Sequence, residues 1–243
     1  MRAPEHIETL RAEGLALPQL QATDTGKGVR VALVDTGVNF QHPHLRVPGR
    51  GWRVQWLDGE VQSQPGGYAD GYGHGTCCAA LVHALAPEAE LWAVRVTAER
   101  PTTDADRIEH GLNVAVEAGA DIVCVALGTK TRLRQGLDAA VAHALEQGVV
   151  VVAADPNDGD AVVPAASPGA IAARHRDGVD VCIEDGVWWA EGRARPASAH
   201  ASNFWGPSLA TARVCAALAR WAQSTPARGG ELVRGFSKAL DVR

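Results

Sequence analysis

Three side chains whose types suit acyl transfer are spread along this 243-residue chain. Asp35 ends an apolar run, His74 lies between two glycines in GYGHGTCCAA, and Ser208 opens an apolar segment of helical periodicity. An orienting carboxylate, an imidazole base and a hydroxyl nucleophile are the groups that acyl transfer requires. The flanking glycines let backbone or substrate approach the ring closely, which a merely packed histidine would not need. We therefore expect Asp35, His74 and Ser208 to form one catalytic group.

Each of the three residues also has a simpler interpretation. Asp35 begins Asp-Thr-Gly, which suits a strand-end turn, and it also suits an aspartic protease. An aspartic protease needs two facing carboxylates, however, and the chain has one such tripeptide. A lone histidine is usually structural, and serine is among the best residues to cap a helix. Acyl transfer is favoured because it accounts for all three residues together.

The elements that must position these residues alternate along the chain, which is typical of a parallel sheet with helices on both faces. Apolar runs predict buried strands over 29–35, 90–96, 121–127 and 148–154. Helical periodicity predicts helices over 76–86, 106–118 and 133–147, with a last helix after Ser208. Loops are expected over 58–73, 155–169 and 192–207. Asp35 then lies at the carboxyl edge of the sheet, where open α/β folds place their sites.

Composition and charge exclude several classes of protein. The chain is 46% hydrophobic and 21% charged, which argues against disorder, collagen and coiled coil. Its net charge is −5 and its Lys and Arg residues form no stripe, so nucleic acid is not an expected partner. No stretch reaches the ~18 apolar residues of a membrane span, so a membrane is not expected either.

Cysteine usage and the N-terminus predict a cytoplasmic protein. There are five cysteines and no CxxC, and Cys77, Cys78, Cys124 and Cys215 lie in apolar surroundings, as buried reduced thiols do. The N-terminal residues are partly acidic and lack the apolar core of a secretory signal.

The motifs around these residues resemble the subtilisin-like serine proteases, the subtilases. The strings that carry the resemblance are VALVDTGVNFQHPHL, GYGHGTCCAA, GVVVVAADPNDG and GPSLATARV. They occur in the order Asp, His, Ser and cover roughly residues 26–243. The resemblance implies an α/β fold of three layers, with a mostly parallel central sheet and helices on both faces. It also implies a single catalytic domain over 26–243, preceded by an N-terminal extension over 1–25.

The resemblance further implies an oxyanion hole and a substrate cleft. Asn157 matches the asparagine whose side-chain amide, with the Ser208 backbone N–H, donates to the tetrahedral intermediate, a contribution of roughly 3 to 4 kcal/mol in such sites. Residues 101–103 and 126–128 would pair with a bound peptide as an added strand, and residues 154–156 would form the wall of the primary pocket. These substrate-binding residues are Pro101, Thr102, Thr103, Ala126, Leu127, Gly128, Ala154, Asp155 and Pro156.

Departures from the family pattern predict restricted specificity and no metal. Asp155 and Pro156 stand where the family usually has Ala-Gly, and Pro stiffens a wall that Gly would leave open. Asp155 would either face the pocket and favour a basic substrate residue, or face the interior and be paired. The calcium loop of relatives is missing and His44 replaces an aspartate that often binds calcium, so neither calcium nor another cofactor is expected.

Three functions fit the sequence. The first is a serine endopeptidase of narrow specificity, for example one that processes a dedicated precursor peptide beside partner enzymes of that pathway. The second is an inactive subtilase-like binding module, which Pro207, the Asp155-Pro156 pair and Ala212-Arg213 in place of a Pro-His pair keep open. The third is a macrocyclising acyl transferase on the same triad, where an amine replaces water. A narrow specificity is expected because no segment before residue 26 is long enough to be an inhibitory pro-domain.

Overall fold

A computed structural model of the chain describes residues 23–98, 102–194 and 204–241, and a nine-stranded sheet runs through its centre. The strands are β1 (Arg30–Asp35), β2 (Arg50–Leu57), β3 (Glu60–Pro65), β4 (Glu90–Arg95), β5 (Ile122–Val125), β6 (Thr129–Lys130), β7 (Val150–Ala154), β8 (Val162–Val163), β9 (Ile171–His175), β10 (Val181–Glu184) and β11 (Val187–Ala190). The helices are α1 (His74–Leu85), α2 (Ala105–Glu117), α3 (Arg134–Glu146), α4 (Pro207–Gln223) and α5 (Gly229–Asp241). Among the described residues, no helix combines the length and the apolar character needed to cross a bilayer.

The central sheet is parallel except at its two edges. Its strand order is β10-β11-β9-β7-β5-β1-β4-β2-β3, and β6 and β8 form a separate two-stranded sheet. Neighbouring strands from β11 to β2 run parallel, whereas β3 and β10 pair antiparallel with β2 and β11. The parallel strands therefore end at a common carboxyl edge, with β1 flanked by β5 and β4. The fold is the three-layer α/β architecture expected from the sequence.

Alternate residues of the strands supply two separate cores. Val31 and Leu33 of β1 pack with α1, α4 and α5, whereas Ala32 and Val34 pack with α2 and α3. All four side chains are at most 1% exposed. This pattern follows from the period of two along a strand, because each face of the sheet is covered by helices.

Helix α4 is the most enclosed of the described helices and carries Ser208 in its first turn. From Leu209 to Arg220 every residue is buried. Many of them are alanines, whose small side chains allow the helix to lie close to the sheet. Pro207 opens the helix, a position where its missing N–H is not needed. The chain before β1 is bound to the other end of α4, where Ser224 Oγ donates to Asp24 Oδ1 at 2.6 Å.

The predicted strands and helices agree with the structure to within a few residues, but three expectations need correction. The loop predicted over 58–73 contains β3, and the one predicted over 155–169 contains β8. The last predicted helix is two helices, α4 and α5, and α4 begins at Pro207, before Ser208. All five cysteines are free, and Cys77 is half-buried rather than buried.

Helix α2 approaches the sheet most closely at Gly111. A Cβ atom on Gly111 would lie 2.6 Å from Val96 Cγ1 and 3.3 Å from Val94 Cγ1. Both neighbours are fully buried, so neither has room to move. Gly136 of α3 differs, because a Cβ there would meet the carboxylate end of Glu109, a flexible side chain that is half-buried.

We therefore predict opposite effects for the same substitution in two helices. Overpacking of Gly111→Ala costs about 1–3 kcal/mol, whereas the gain in helix propensity is about 1 kcal/mol at most, so the free energy of unfolding should fall. Gly136→Ala should leave it unchanged or raise it by up to about 1 kcal/mol, because Glu109 can turn away. Urea denaturation of both variants measures the difference. Equal stabilisation by both would show that the Gly111 contact is not tight.

Candidate active site

Asp35 and His74 are held together at the carboxyl edge of the sheet. His74 Nδ1 lies 2.8 Å from Asp35 Oδ1 and 3.0 Å from Oδ2. The Asp35 side chain is 1% exposed and the His74 side chain 15% exposed. The Thr36 backbone N–H also donates to Asp35 Oδ1, at 2.6 Å. The buried carboxylate is thus satisfied by hydrogen bonds, and it fixes which imidazole nitrogen faces it.

Two glycines allow the end of β1 and the start of α1 to come this close. A Cβ on Gly75 would lie 2.2 Å from the Gly37 carbonyl oxygen and 3.1 Å from Asp35 Cβ. Gly37 itself has φ of 105° and would place a Cβ 2.4 Å from the Tyr68 carbonyl oxygen. A side chain on Gly75 would push the start of α1 away from the end of β1, and one on Gly37 would push residues 68 and 69 away from the same strand end. The glycine after His74 is therefore required by the contact between His74 and Asp35.

The turn before His74 is organised by Asp70, which sequence reasoning missed. Its carboxylate accepts from the backbone N–H groups of Tyr72, Gly73 and Thr76 at 2.8–2.9 Å, and from the Thr76 hydroxyl at 2.6 Å. Burial raises the pKa of Asp70, but these hydrogen bonds outweigh it and lower the pKa below its ordinary value. A carboxylate shortly before a helix is a recognisable capping signal, so the sequence did contain it.

His74 is a stronger base than a free imidazole. Burial lowers its pKa, but the charge of Asp35 and the hydrogen bond to it, together with the charge of Asp70, raise the pKa above the ordinary value of 6.5. With Asp35 accepting from Nδ1–H, the lone pair of the neutral ring lies on Nε2. The ring can therefore take a proton at Nε2 while the carboxylate stabilises the resulting charge.

Ser208 lies in the first turn of α4, beside the His74 site. Its backbone oxygen is 3.9 Å from the Sγ of Cys78, which is one turn after His74 on α1. The Cys78 Sγ, the His74 ring and the Asp35 carboxylate lie within 4.8 Å of one another. The Ser208 hydroxyl donates to the Ala126 carbonyl oxygen at 3.0 Å. Cys78 therefore links the backbone of Ser208 to the pair of His74 and Asp35, while the Ser208 hydroxyl is hydrogen-bonded to the strand-end backbone at Ala126.

Cys78 is not a competing nucleophile. Burial, followed by the negative charge of Asp35, raises the pKa of its thiol well above 9.0. The thiol therefore stays protonated at neutral pH, and the thiolate is the reactive form.

Aromatic rings border the outer side of His74. The Phe204 ring meets the imidazole edge to face, with 5.4 Å between centroids, and it also contacts Tyr72 at 5.9 Å. Tyr72 is 52% exposed and Trp205 is 73% exposed. Phe204 therefore covers one side of the His74 imidazole and Tyr72 contacts Phe204, whereas Trp205 packs against the His175 ring.

The side-chain amide of Asn157 is hydrogen-bonded to the backbone of β9, a contact that the sequence did not predict. Its Nδ2 donates to the His175 carbonyl oxygen at 2.5 Å, and its Oδ1 accepts from the His175 N–H at 2.9 Å. Both ends of the amide are thus occupied by the backbone of β9. The Nδ2 group carries a second N–H, and the oxyanion role, which depends on that N–H, stays a prediction.

The expected substrate-binding segments leave neighbouring strands. Val125 of β5 pairs with Ala153 of β7, so the segments 126–128 and 154–156 emerge side by side. Asp155 is 7% exposed and accepts from Arg174 Nε at 2.7 Å. Of the two alternatives for Asp155, the structure therefore supports the paired one.

Only part of the third expected substrate-binding segment, residues 101–103, is described by the structure. Thr102 is exposed, and the Thr103 hydroxyl donates to the Val96 carbonyl at 2.7 Å, just before the α2 cap residue Asp104. Pro101 lies outside the described residues. Binding of substrate by these residues stays a prediction.

Two groups of side chains among the described residues have ligand atoms close enough to share a metal ion. One is Asp35, His74 and Cys78, in which Asp35 already accepts a hydrogen bond from His74. The other is His175, Asp177 and Glu191, where the guanidinium of Arg193 lies 2.9 Å from Glu191 and 3.1 Å from Asp177. In the first group Asp35 is thus already paired with His74, and in the second group Arg193 neutralises the two carboxylates.

Comparison with known proteins agrees with this geometry. The family model described as the subtilase family matches residues 26–177, which include Asp35, His74 and Asn157 but not Ser208. Thermitase of Thermoactinomyces vulgaris is 34% identical over 174 residues, covering 66% of this chain and 59% of the relative. Subtilisin Savinase of Lederbergia lenta is 32% identical over 238 residues, covering 88% and 83%.

A solved structure shows the same fold. It is described as the crystal structure of a cold adapted subtilisin-like serine proteinase, and it matches with a TM-score of 0.69 at 20% sequence identity. The match covers 88% of this chain and 82% of the other. The chain therefore belongs to the subtilase family of subtilisin-like serine proteases.

Proposed function

We propose that the chain is an active serine endopeptidase in which Asp35 orients, His74 acts as base and Ser208 attacks. The observation that carries the proposal is the buried pair of Asp35 and His74, at 2.8 Å, beside a helix that begins with Ser208. A buried carboxylate that fixes an imidazole next to a hydroxyl is the arrangement that activates a serine. Family membership supports the same chemistry.

The reaction uses His74 Nε2 in turn as a base and as an acid. Ser208 Oγ leaves the Ala126 carbonyl, gives its proton to His74 Nε2 and attacks the substrate carbonyl. His74 then passes the proton to the departing amine, which leaves an acyl ester on Ser208. A water molecule, deprotonated by His74, hydrolyses that ester and restores the hydroxyl. Asp35 remains ionised and stabilises the imidazolium in both halves.

Negative charge on the substrate oxygen needs donors at the mouth of α4. The N–H groups of the first helical turn have no partner within the helix, and the helix dipole adds positive potential there. The Ser208 N–H is one such group. We propose the Asn157 amide as the second donor, through the Nδ2–H that does not bind the His175 carbonyl. Asn157 is exposed, as a residue that contacts substrate must be.

The first prediction tests the nucleophile. Ser208→Ala should abolish peptide hydrolysis and labelling by an organophosphonate, because both need the activated hydroxyl. The control is Ser237→Ala on α5, whose hydroxyl donates to the Val233 carbonyl away from the site. It should label like the unmodified protein. Mass spectrometry locates the label.

Labelling also separates the alternatives. An inactive binding module is favoured by the resting contacts of Ser208 and Asn157, and it predicts no labelling of the unmodified protein. A macrocyclising transferase would label, and it would release cyclic rather than linear products from a precursor peptide. Hydrolysis by Ser208→Ala at the unmodified rate would contradict the triad itself.

The second prediction concerns pH. Because His74 must be neutral to accept a proton, kcat/KM should rise with pH and reach half its maximum above 6.5, where the raised pKa of His74 lies. Asp35→Asn removes the charge that raises this pKa, so the midpoint should move to lower pH while the rate falls by about 10³ to 10⁴. Imidazole NMR in the Ser208→Ala background measures the same pKa without turnover. An unchanged pKa after Asp35→Asn would contradict the assigned role.

The pocket beside Ser208 is expected to accept small residues. Arg174 neutralises Asp155, so this wall offers no free negative charge to a basic substrate side chain. A Cβ on Gly128 would lie 3.0 Å from Val162 Cγ2, so Val162 fills the space next to the 126–128 segment. Pro156 adds a wall with fixed φ. Together these features leave a short, neutral pocket.

The third prediction follows from this pocket. Across peptides that differ at the residue before the cleaved bond, kcat/KM for Ala should exceed that for Lys by more than about tenfold, equivalent to roughly 1.4 kcal/mol. Arg174→Ala frees the Asp155 carboxylate and should raise the rate for Lys. Val162→Gly, which leaves the charges unchanged, should raise the rate for Phe instead. If kcat/KM for these peptides differs by less than tenfold in the unmodified protein, this wall does not discriminate between substrate side chains.

A dedicated substrate fits such a restricted site. We propose a precursor peptide whose cleavage site has a small residue, processed in the cytoplasm together with partner enzymes. Incubation with a diverse peptide library, followed by mapping of the cuts by mass spectrometry, tests this proposal. Unselective cutting of the library would contradict it.

A further inference from the structure

A continuous series of hydrogen bonds joins the Asn157 loop to the turn before Ser208, and it passes through His175. This histidine ends β9 and is 8% exposed. Its backbone binds the Asn157 amide, and its ring accepts from the Gly192 N–H on the way to Ser208. None of the sequence motifs discussed above includes it.

The His175 backbone binds the side chain of Asn157. Both the N–H and the carbonyl of His175 bind the Asn157 amide, at 2.9 Å and 2.5 Å. The position of the β9 end therefore sets the position of the Asn157 side chain and of its second Nδ2–H. A shift of β9 would shift this donor.

The His175 ring is connected through Gly192 to the turn that precedes Ser208. His175 Nδ1 accepts from the Gly192 N–H at 2.9 Å, and the Gly192 carbonyl accepts from the Gly206 N–H at 2.8 Å. Gly206 is the cap residue of α4, and its carbonyl accepts from the Ala210 N–H in the first helical turn. Two hydrogen bonds thus connect the His175 ring to the turn that carries Ser208.

The connection is tightly packed. A Cβ on Gly192 would lie 2.3 Å from the Gly206 carbonyl oxygen and 2.8 Å from His175 Nδ1. The Trp205 ring also packs against the imidazole, with 5.8 Å between centroids. Little movement is available to either partner, so a displacement at His175 is passed to Gly206.

The charged groups around His175 orient its imidazole and are already paired with one another. Because Nδ1 accepts a hydrogen bond, the proton of the neutral ring is on Nε2, which faces Asp177 Oδ1 at 3.5 Å. A metal ion would need that nitrogen unprotonated. Arg193 already supplies positive charge to Asp177 and Glu191. These groups orient the imidazole with Nδ1 toward Gly192.

We propose that His175 is a positioning residue that sets the distance between the two oxyanion donors, the Asn157 amide and the Ser208 N–H. The inference rests on the proposed function, since it assigns those two donors. The residue acts through Gly192 and Gly206 and makes no contact with substrate. Its effect should appear in kcat, because a misplaced donor weakens binding of the transition state and leaves binding of the substrate unchanged.

Two substitutions of similar shape provide the test. Asn places an acceptor oxygen where Nδ1 lies, whereas Leu places a methyl group there. We expect His175→Asn to keep kcat within about threefold and His175→Leu to lower kcat by about tenfold or more, with KM within about twofold for both. His143 is the control, because it lies on α3, whose buried residues pack in the other core. His143→Leu should leave kcat and KM unchanged.

A double-mutant cycle separates positioning from general loss of structure. Asn157→Ala alone should lower kcat by about 10² to 10³. In that background His175→Leu should change kcat by less than about twofold, because one donor of the pair is already gone. If His175→Leu does not fold, His175→Ala takes its place in the cycle.

The outcomes distinguish this inference from the proposed function. Failure of the unmodified protein to label with phosphonate would overturn the proposed function itself. Labelling with equal kcat for the Asn and Leu variants at 175 would overturn the role of His175 alone. Full additivity with Asn157→Ala would also overturn it, because His175 would then act elsewhere.

Discussion

The contact between the buried carboxylate of Asp35 and the imidazole of His74 constrains the rest of the structure. A charge that is 1% exposed is costly unless hydrogen bonds and an opposite charge satisfy it. Two segments 39 residues apart must therefore meet within 2.8 Å. Gly75 and Gly37 allow the approach, and Asp70 holds the turn that delivers the ring. The parallel order of β5, β1 and β4 then places the pair in the middle of the carboxyl edge.

Ser208 reaches the same edge for a different reason. Helix α4 is buried along most of its length, so its position is set by packing against the sheet and α1 rather than by the site. Arg213 within this helix is wholly buried, and it binds Asp180 at 3.2 Å and the Glu191 carbonyl at 3.0 Å. Burial lowers the pKa of Arg213, and the charges of Asp180 and Glu191 oppose that effect. The same helix that carries Ser208 is thus tied to the segment that contains Gly192.

The sequence predicted what depends on local pattern. Buried strands such as β1 and β7 are continuous apolar runs, and the triad residues lie at strand ends and helix starts that their motifs mark. The hairpin of β2 and β3 was missed because β3 is an exposed edge strand with polar residues. Helix α5 was missed although Leu232, Phe236 and Leu240 repeat every four residues and are buried. The resting positions of Asn157 and Asp155 depend on His175 and Arg174, 18 and 19 residues away, and no local pattern specifies such partners.

Ser208 and Asn157, the two residues proposed to act on the substrate, are each hydrogen-bonded within the protein in this structure. The Ser208 hydroxyl binds the Ala126 carbonyl and the Asn157 amide binds the His175 backbone. The Ser208 hydroxyl is half-buried, and leaving a buried hydroxyl unpaired costs about 1–3 kcal/mol, so the site without substrate satisfies it internally. Under the proposed function a bound peptide supplies new partners, because its carbonyl oxygen accepts from Asn157 and its backbone pairs with the 126–128 segment. Exchange of one hydrogen bond for another leaves a net difference of only about 0.5–1.5 kcal/mol, so productive geometry depends on where the exchanged partners are held. That position is fixed by β5 on one side and by the end of β9 on the other.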